Sequence, residues 1–90
     1  MQLAKVIGDV VVTRKDENLT GITLLVLQPL DAAGAAIGRT LVAVDAVGAG
    51  VGETVLVVSG SSARMAAGMK DCPVDAAIVG IVDAVEVSES

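Results

Sequence analysis

Five short runs of β-branched and aliphatic residues, separated by glycine-rich or polar segments, make up most of this 90-residue chain. Such runs are typical of β-strands, because branched side chains pack well on a pleated sheet. We predict strands over residues 4–12, 22–30, 40–44, 54–59 and 76–87. A chain of this length forms one domain, so the prediction is a single domain, residues 1–90, of the mainly all-β class.

One short helical turn is predicted between the fourth and fifth strands. Ser61 or Ser62 can cap a helix through residues 63–66, and Gly68 would end it in a left-handed conformation. Five short strands with one helical turn indicate a small, partly open barrel. The OB fold is the commonest barrel of this size, although its usual helix lies elsewhere. We therefore predict an OB-like five-stranded β-barrel.

The second strand is apolar on both faces, which a chain this small rarely covers by itself. In total 53% of the residues are hydrophobic, whereas a small domain leaves much of its surface in water. A membrane span does not explain this surplus. The longest stretch without charge runs from Asn18 to Leu30, and a spanning helix needs about 20 mostly apolar residues. We expect copies of the chain to cover the surplus, with no membrane partner.

Phe, Tyr, Trp and His are absent from the chain. Without His, the side chain best suited to moving protons near neutral pH is missing, as is the commonest metal ligand. Without aromatic rings there is no stacking platform for single-stranded nucleic acid. The net charge of −5 disfavours binding to phosphate backbones. These observations favour a structural or assembly role and predict no nucleic-acid partner.

Three segments resemble reactive or binding sites, and each has a simpler interpretation. Residues 48–53 are similar to a dinucleotide-binding loop, but Glu53 stands where glycine is needed and a strand follows; we predict a tight glycine turn. Ser61 has no His partner and only Lys70 as a nearby base, which favours capping over catalysis. Cys72, the single cysteine, has carboxylates beside it and no second Cys or His to complete a metal set. We predict no cofactor and no metal.

The remaining charged residues indicate contacts or solvated surface. An unpaired carboxylate late in an apolar strand is costly, so Asp45 and Asp83 are expected at strand ends or beside a donor. Arg64 carries a fork of donors that can grip a carboxylate or carbonyl groups across an interface; a solvated arginine is the alternative. The cations of the first third form a solvated face or contact a neighbouring protein: Lys5, Arg14 and Lys15. No secretion signal is visible, and one cysteine suits a reducing compartment, so we expect a cytoplasmic protein.

Five segments, in a fixed order and spacing, together resemble one protein family. They are LAKVIG at 3–8, LTG at 19–21, DAVGAGVGE at 45–53, GSSAR at 60–64 and PVDAAIVGIVD at 73–83. This set is similar to the bacterial microcompartment vertex proteins of the EutN/CcmL type, found in carboxysomes and in ethanolamine- or propanediol-degrading shells. The resemblance covers nearly the whole chain.

The resemblance implies a cyclic homopentamer of OB-like barrels at the five-fold vertices of a polyhedral shell. The partners it implies are the chain itself and the hexameric shell proteins that tile the rest, and the role is not enzymatic. The glycine turn and the GSSAR segment supply the candidates for the pentamer interface or axis: Asp45, Gly48, Ala49, Gly50, Gly60, Ser61, Ser62 and Arg64. Lys5, Arg14 and Lys15 are the candidate shell contacts.

Two other classes of function stay open at this point. One is an OB-like module that binds nucleic acid or a small ligand, and the other is a minor enzyme using Ser61, Asp71 or Cys72. For the vertex hypothesis we predict that Ala49→Phe obstructs a close approach between subunits at the turn.

Overall fold

The computed structural model describes residues 1–13, 17, 21–60, 63 and 75–88. Its strands are, in chain order, β1 (Gln2–Asp9), β2 (Leu24–Leu30), β3 (Leu41–Asp45), β4 (Thr54–Ser59) and β5 (Ala76–Val82). They pair in the order β1-β2-β3-β5-β4 and close into a barrel. The predicted five-stranded barrel is therefore confirmed, whereas its partly open form is wrong.

Closure depends on β5, which pairs with strands on both of its sides. Its antiparallel ladder with β4 runs the length of both strands. Its parallel pairing with β3 is limited to Val44 with Ala77 and Asp45 with Ile78; this short junction is called the β3–β5 seam below. Antiparallel pairing of β4 with β1 completes the ring, so each described strand has two neighbours and none is a free edge.

Small aliphatic side chains fill the interior of the barrel. Residues paired across an antiparallel ladder face the same side of the sheet, so Ala4 points inward with Pro29 and Val55, and Val6 with Leu27. A barrel of five strands is narrow and is filled by side chains alone, which is why no aromatic ring is needed. The core cluster is aliphatic throughout: Ala4, Val6, Leu25, Leu27, Ala43, Val55, Val57, Ala76 and Ile78.

Two strands end earlier than the alternation of side chains predicts. In β1 the register with β2 shifts between Val6 and Gly8, so the strand predicted over residues 4–12 ends at Asp9, and Val12 is exposed. β5 ends at Val82, and residues 84–88 lie outside any strand although valines still alternate there. The expected positions of Asp45 and Asp83 are confirmed, since Asp45 is the last residue of β3 and Asp83 follows β5 directly.

The predicted helical turn over residues 63–66 lies largely outside the described residues. Ala63 is described; it is helical and buried, and its N–H donates to the carbonyl oxygen of Gly60 at 3.1 Å. In the described part of the chain, no helix has the length and apolar character needed to cross a membrane.

Candidate assembly surfaces

The connection between β3 and β4, residues 46–53, begins at a carboxylate that caps it. Oδ1 of Asp45 accepts hydrogen bonds from the backbone N–H groups of Val47 and Gly48, each at 3.0 Å. The half-buried Asp45 thus satisfies donors of its own turn, as Asp side chains commonly do. The donors that the structure shows for Asp45 are therefore backbone groups, while its predicted partner Arg64 lies outside the described residues.

The same connection ends at a second carboxylate and is fastened to β1. Oε1 of Glu53 accepts a hydrogen bond from the N–H of Gly50 at 2.6 Å. Gly52 donates to the carbonyl oxygen of Val6 at 2.8 Å, and the N–H of Val6 donates to the carbonyl oxygen of Glu53 at 2.9 Å. Gly48 and Gly52 have φ angles of +81° and +94°, in the region that glycine adopts without steric cost. The predicted tight glycine turn is confirmed.

Ala49, in the middle of this connection, faces the barrel. It is half-buried and packs against the core cluster together with Leu41. The connection therefore covers one end of the core, and the small size of residue 49 is explained within a single subunit.

We expect Asp45→Ala to lower the free energy of unfolding by about 1–2 kcal/mol, because two backbone donors lose a charged acceptor. Asp45→Asn keeps an oxygen at the same place and should lose less than half as much. Urea denaturation at one fixed protein concentration measures both. If Asp45→Ala leaves the free energy of unfolding unchanged, Glu53 and the glycines hold the turn without Asp45.

The structure does not bring together the two interface segments predicted from the sequence, because they run in opposite directions along β5. Ala77 pairs with Val44 on β3 and with Val58 on β4. Because β3 is parallel to β5 and β4 is antiparallel to it, the chain after Val44 continues through Asp45 toward the Val82 end of β5, whereas the chain after Val58 continues to Gly60 at the opposite end. Gly60 has a φ of +67°, and its N–H donates to the carbonyl oxygen of Asp75 at 2.8 Å. Gly48, Ala49 and Gly50 follow Asp45 in the connection.

The other candidates are only partly described. Lys5 is exposed on the outer wall of β1, where it pairs with Gln28 and Thr54; both the solvated interpretation and a shell contact stay open for it. The remaining candidate residues lie outside the described part of the chain: Arg14, Lys15, Ser61, Ser62 and Arg64. The same holds for Asp71 and Cys72. For all the interface and shell candidates, the role stays a prediction.

An aliphatic groove lies beside Lys5 on the outer wall. Leu3 pairs with Leu30 on β2 and with Leu56 on β4, which places three leucines in one row. The groove has a volume of about 220 Å³ and is lined by Leu3, Leu30, residues 31–34, Thr54 and Val85.

Two polar side chains, Asp31 and Thr54, line this groove, and Asp31 already accepts hydrogen bonds from its own turn. Oδ1 of Asp31 accepts hydrogen bonds from the N–H groups of Ala33 and Ala35, both at 2.9 Å, and so shapes the turn after β2. Thr54 supplies the other polar side chain of the lining. The lining of the groove is mixed, with polar and apolar surface in similar parts.

A second apolar area lies on the other side of the polar row formed by Lys5 and Gln28. Gly8 pairs with Val26, which in turn pairs with Val42 on β3, and Ile7 precedes Gly8 at the register shift. Ile7 and Val42 are each 47% exposed. We call these four residues, Ile7, Gly8, Val26 and Val42, the Gly8 face. This face was not predicted from the sequence, although a glycine inside a strand pattern marks it.

Residues 1–83 match the protein family described as "Ethanolamine utilisation protein EutN/carboxysome". The chain belongs to the EutN/CcmL family. The resemblance inferred from the five sequence segments is thereby confirmed. Within the described ranges, no group of three or more His, Cys, Asp or Glu side chains is placed to hold a metal ion.

Individual relatives match this EutN/CcmL chain along nearly its whole length. The carboxysome shell vertex protein CcmL of Synechocystis is 54% identical over 88 residues, which are 98% of this chain and 88% of the relative. The GrpN pentameric microcompartment shell protein from Rhodospirillum rubrum has 51% identity and a TM-score of 0.89, covering 98% of this chain and all of the relative. CcmL of Gloeobacter violaceus has 45% identity and a TM-score of 0.91, covering 97% and 90%.

Proposed function

We propose that this chain assembles into a cyclic homopentamer that occupies the five-fold vertices of a polyhedral bacterial microcompartment shell. The observation that carries the proposal is the match, over nearly the full chain, to relatives named as shell vertex proteins. The role is structural and involves no catalysis. It places the protein in the cytoplasm, in the shell of a microcompartment.

The exterior of the barrel supports assembly on physical grounds. Large apolar side chains remain well exposed on the single chain, among them Ile7, Val42 and Val51. Contiguous apolar surface on a small protein marks an interaction site, because burying it is favourable. A closed ring uses head-to-tail contacts, in which each subunit offers two different surfaces. Apolar side chains lie at two separate places on the outer wall, the Gly8 face and the groove beside Leu3 and Leu30.

The geometry of shells explains why a pentamer is needed. Hexamers tile a flat sheet, and a flat hexagonal sheet closes into a polyhedron only where five-fold units replace hexamers. The proposed partners are therefore the chain itself and hexameric microcompartment shell proteins.

Native mass spectrometry at micromolar concentration tests the ring. We expect a species of five chain masses; a chain that stays monomeric or dimeric would overturn the proposal. Shell closure is tested by producing hexameric shell proteins with and without this chain and imaging the particles. Closed polyhedra only in its presence are expected, and identical particles in both preparations would overturn the vertex role while leaving the ring.

We also predict that Arg64→Ala weakens assembly more than folding, because a multi-donor contact between subunits is lost. Arg64→Lys keeps the charge without the planar fork and should recover only part of the assembly. Native mass spectrometry reports the ring, and circular dichroism reports the fold. An unfolded Arg64→Ala chain would show instead that this residue serves the interior of the subunit.

A further inference from the structure

Gly8 is a glycine that its own subunit does not require. Its φ angle is not among the positive values, which belong to Gly21, Gly34, Gly38, Gly48, Gly52 and Gly60. A Cβ added at Gly8 would meet no atom within 4 Å. Neither backbone conformation nor packing within the subunit therefore demands glycine, even though the residue lies next to the register shift of β1.

Glycine is an unfavourable choice inside a strand, because it has no side chain to pack and loses the most backbone freedom on folding. Its neighbours on the sheet are apolar: Ile7 precedes it, Val26 pairs with it on β2, and Val42 on β3 pairs with Val26. Ile7 and Val42 are each 47% exposed, and Val26 is half-buried. A glycine inside a strand marks a bulge, a tight bend or a place where another backbone approaches closely. Since the register shift beside Gly8 does not require a positive φ there, close approach is the meaning that accounts for the missing side chain.

The distribution of charge allows the other backbone to belong to a second copy of this chain. The Gly8 face has no charged side chain, whereas each chain carries a net charge of −5. Identical acidic chains repel one another through their charged surfaces, so they associate best through uncharged ones. A ring of identical subunits also needs two different surfaces on each subunit.

From these observations we infer that the Gly8 face is one of the two surfaces through which a second copy of this chain docks, with the backbone of that copy lying directly over Gly8. The inference rests on the proposed ring and adds to it the location of one contact. In the isolated chain the space above Gly8 is open; in the ring it is filled.

A series of increasing size at one position tests this contact. We expect Gly8→Ala to shift the ring toward monomer, and Gly8→Leu to raise the protein concentration needed for half-assembly by at least about tenfold, because overpacking an interface is costly. The monomers released should stay folded. At a protein concentration where the wild type is dissociated into monomers, Gly8→Val should need at least as much urea to unfold as the wild type does. The reason is that a β-branched residue replaces glycine in a strand.

Gly80→Ala is the matched control. Gly80 is also a strand glycine without a positive φ, and an added Cβ would lie 3.9 Å from Leu56 in ordinary contact. The ring of this variant should form at the concentration of the wild type. Val42→Ser is an independent probe of the same face, since it removes apolar surface without adding bulk. We expect it to weaken the ring with little loss of monomer stability.

The outcomes separate this inference from the proposed function. A wild-type chain that forms no ring defeats both. If the wild type forms a ring and Gly8→Leu forms it at the same protein concentration, the Gly8 contact alone is overturned. The Gly8 contact is also overturned if Gly8→Leu keeps its ring but no longer closes shells with hexamers, because a different shell protein would then cover the face. Monomers of Gly8→Leu that are unfolded also overturn it, because the glycine would then serve the fold.

Discussion

Replacing Ile78 by alanine is expected to destabilise the barrel by about 2–5 kcal/mol, as large-to-small substitutions in a packed core do. Ile78 is fully buried in the core cluster. It pairs with Val57 on β4 and with Asp45 on β3, so the cavity left by alanine would lie at the β3–β5 seam. Since the domain is small and marginally stable, we expect a large unfolded fraction at 37 °C, measured by urea denaturation at fixed protein concentration.

Ile81→Ala is the matched control, because it makes the same change on the same strand. Ile81 is 41% exposed, so its truncation should cost no more than about 1 kcal/mol in the monomer. Ile78→Val removes a single methylene and should cost about 0.5–1.5 kcal/mol. Equal losses for Ile78→Ala and Ile81→Ala would mean that the interior at the seam relaxes to fill the cavity.

The second large effect is expected for Ala49→Phe. Ala49 packs against the core cluster from the connection between β3 and β4, and an aromatic ring there overpacks the end of the barrel. Overpacking a well-filled core typically costs about 1–3 kcal/mol. The anchor between Gly52 and Val6 leaves the connection little room to move outward. We expect a lower urea midpoint of the monomer, whether or not subunits also meet at this turn.

Ala46→Phe separates packing within the subunit from contact between subunits. Ala46 belongs to the same connection and is exposed, so phenylalanine there should leave the stability of the monomer nearly unchanged. A loss of rings with Ala46→Phe would place the connection at an interface. If Ala49→Phe leaves the stability of the monomer at the wild-type value, residue 49 does not pack into the barrel.

The centres of the strands could be predicted from the sequence, and their ends could not. β4 occupies residues 54–59 as predicted, because a glycine turn and a Gly-Ser segment bound it on both sides. The prediction failed beyond Asp9 and beyond Val82 for a common reason. Alternating side chains report which face of the chain is apolar, and they carry no information on whether a partner strand lies alongside.

Closure of the barrel was not predictable either, because it is decided by pairing between strands far apart in the chain. Nothing in the local pattern of residues 76–82 indicates that β5 pairs with β3 as well as with β4. The residues of the candidate assembly surfaces were predictable only in part. Asp45 at a strand end follows from the cost of burying a carboxylate. The Gly8 face required knowing that β1, β2 and β3 are neighbours, since its residues come from all three.

The order of the strands around the barrel has a consequence for biosynthesis. Both joints that close the ring, β1 with β4 and β3 with β5, involve the last strands to leave the ribosome. A sheet of β1, β2 and β3 alone would be open and would present Leu25 and Leu27, which are buried in the complete barrel, to water. Non-local pairing of this kind is slow and leaves nascent chains prone to aggregate. The chain is therefore exposed to aggregation until its last two strands have emerged and paired.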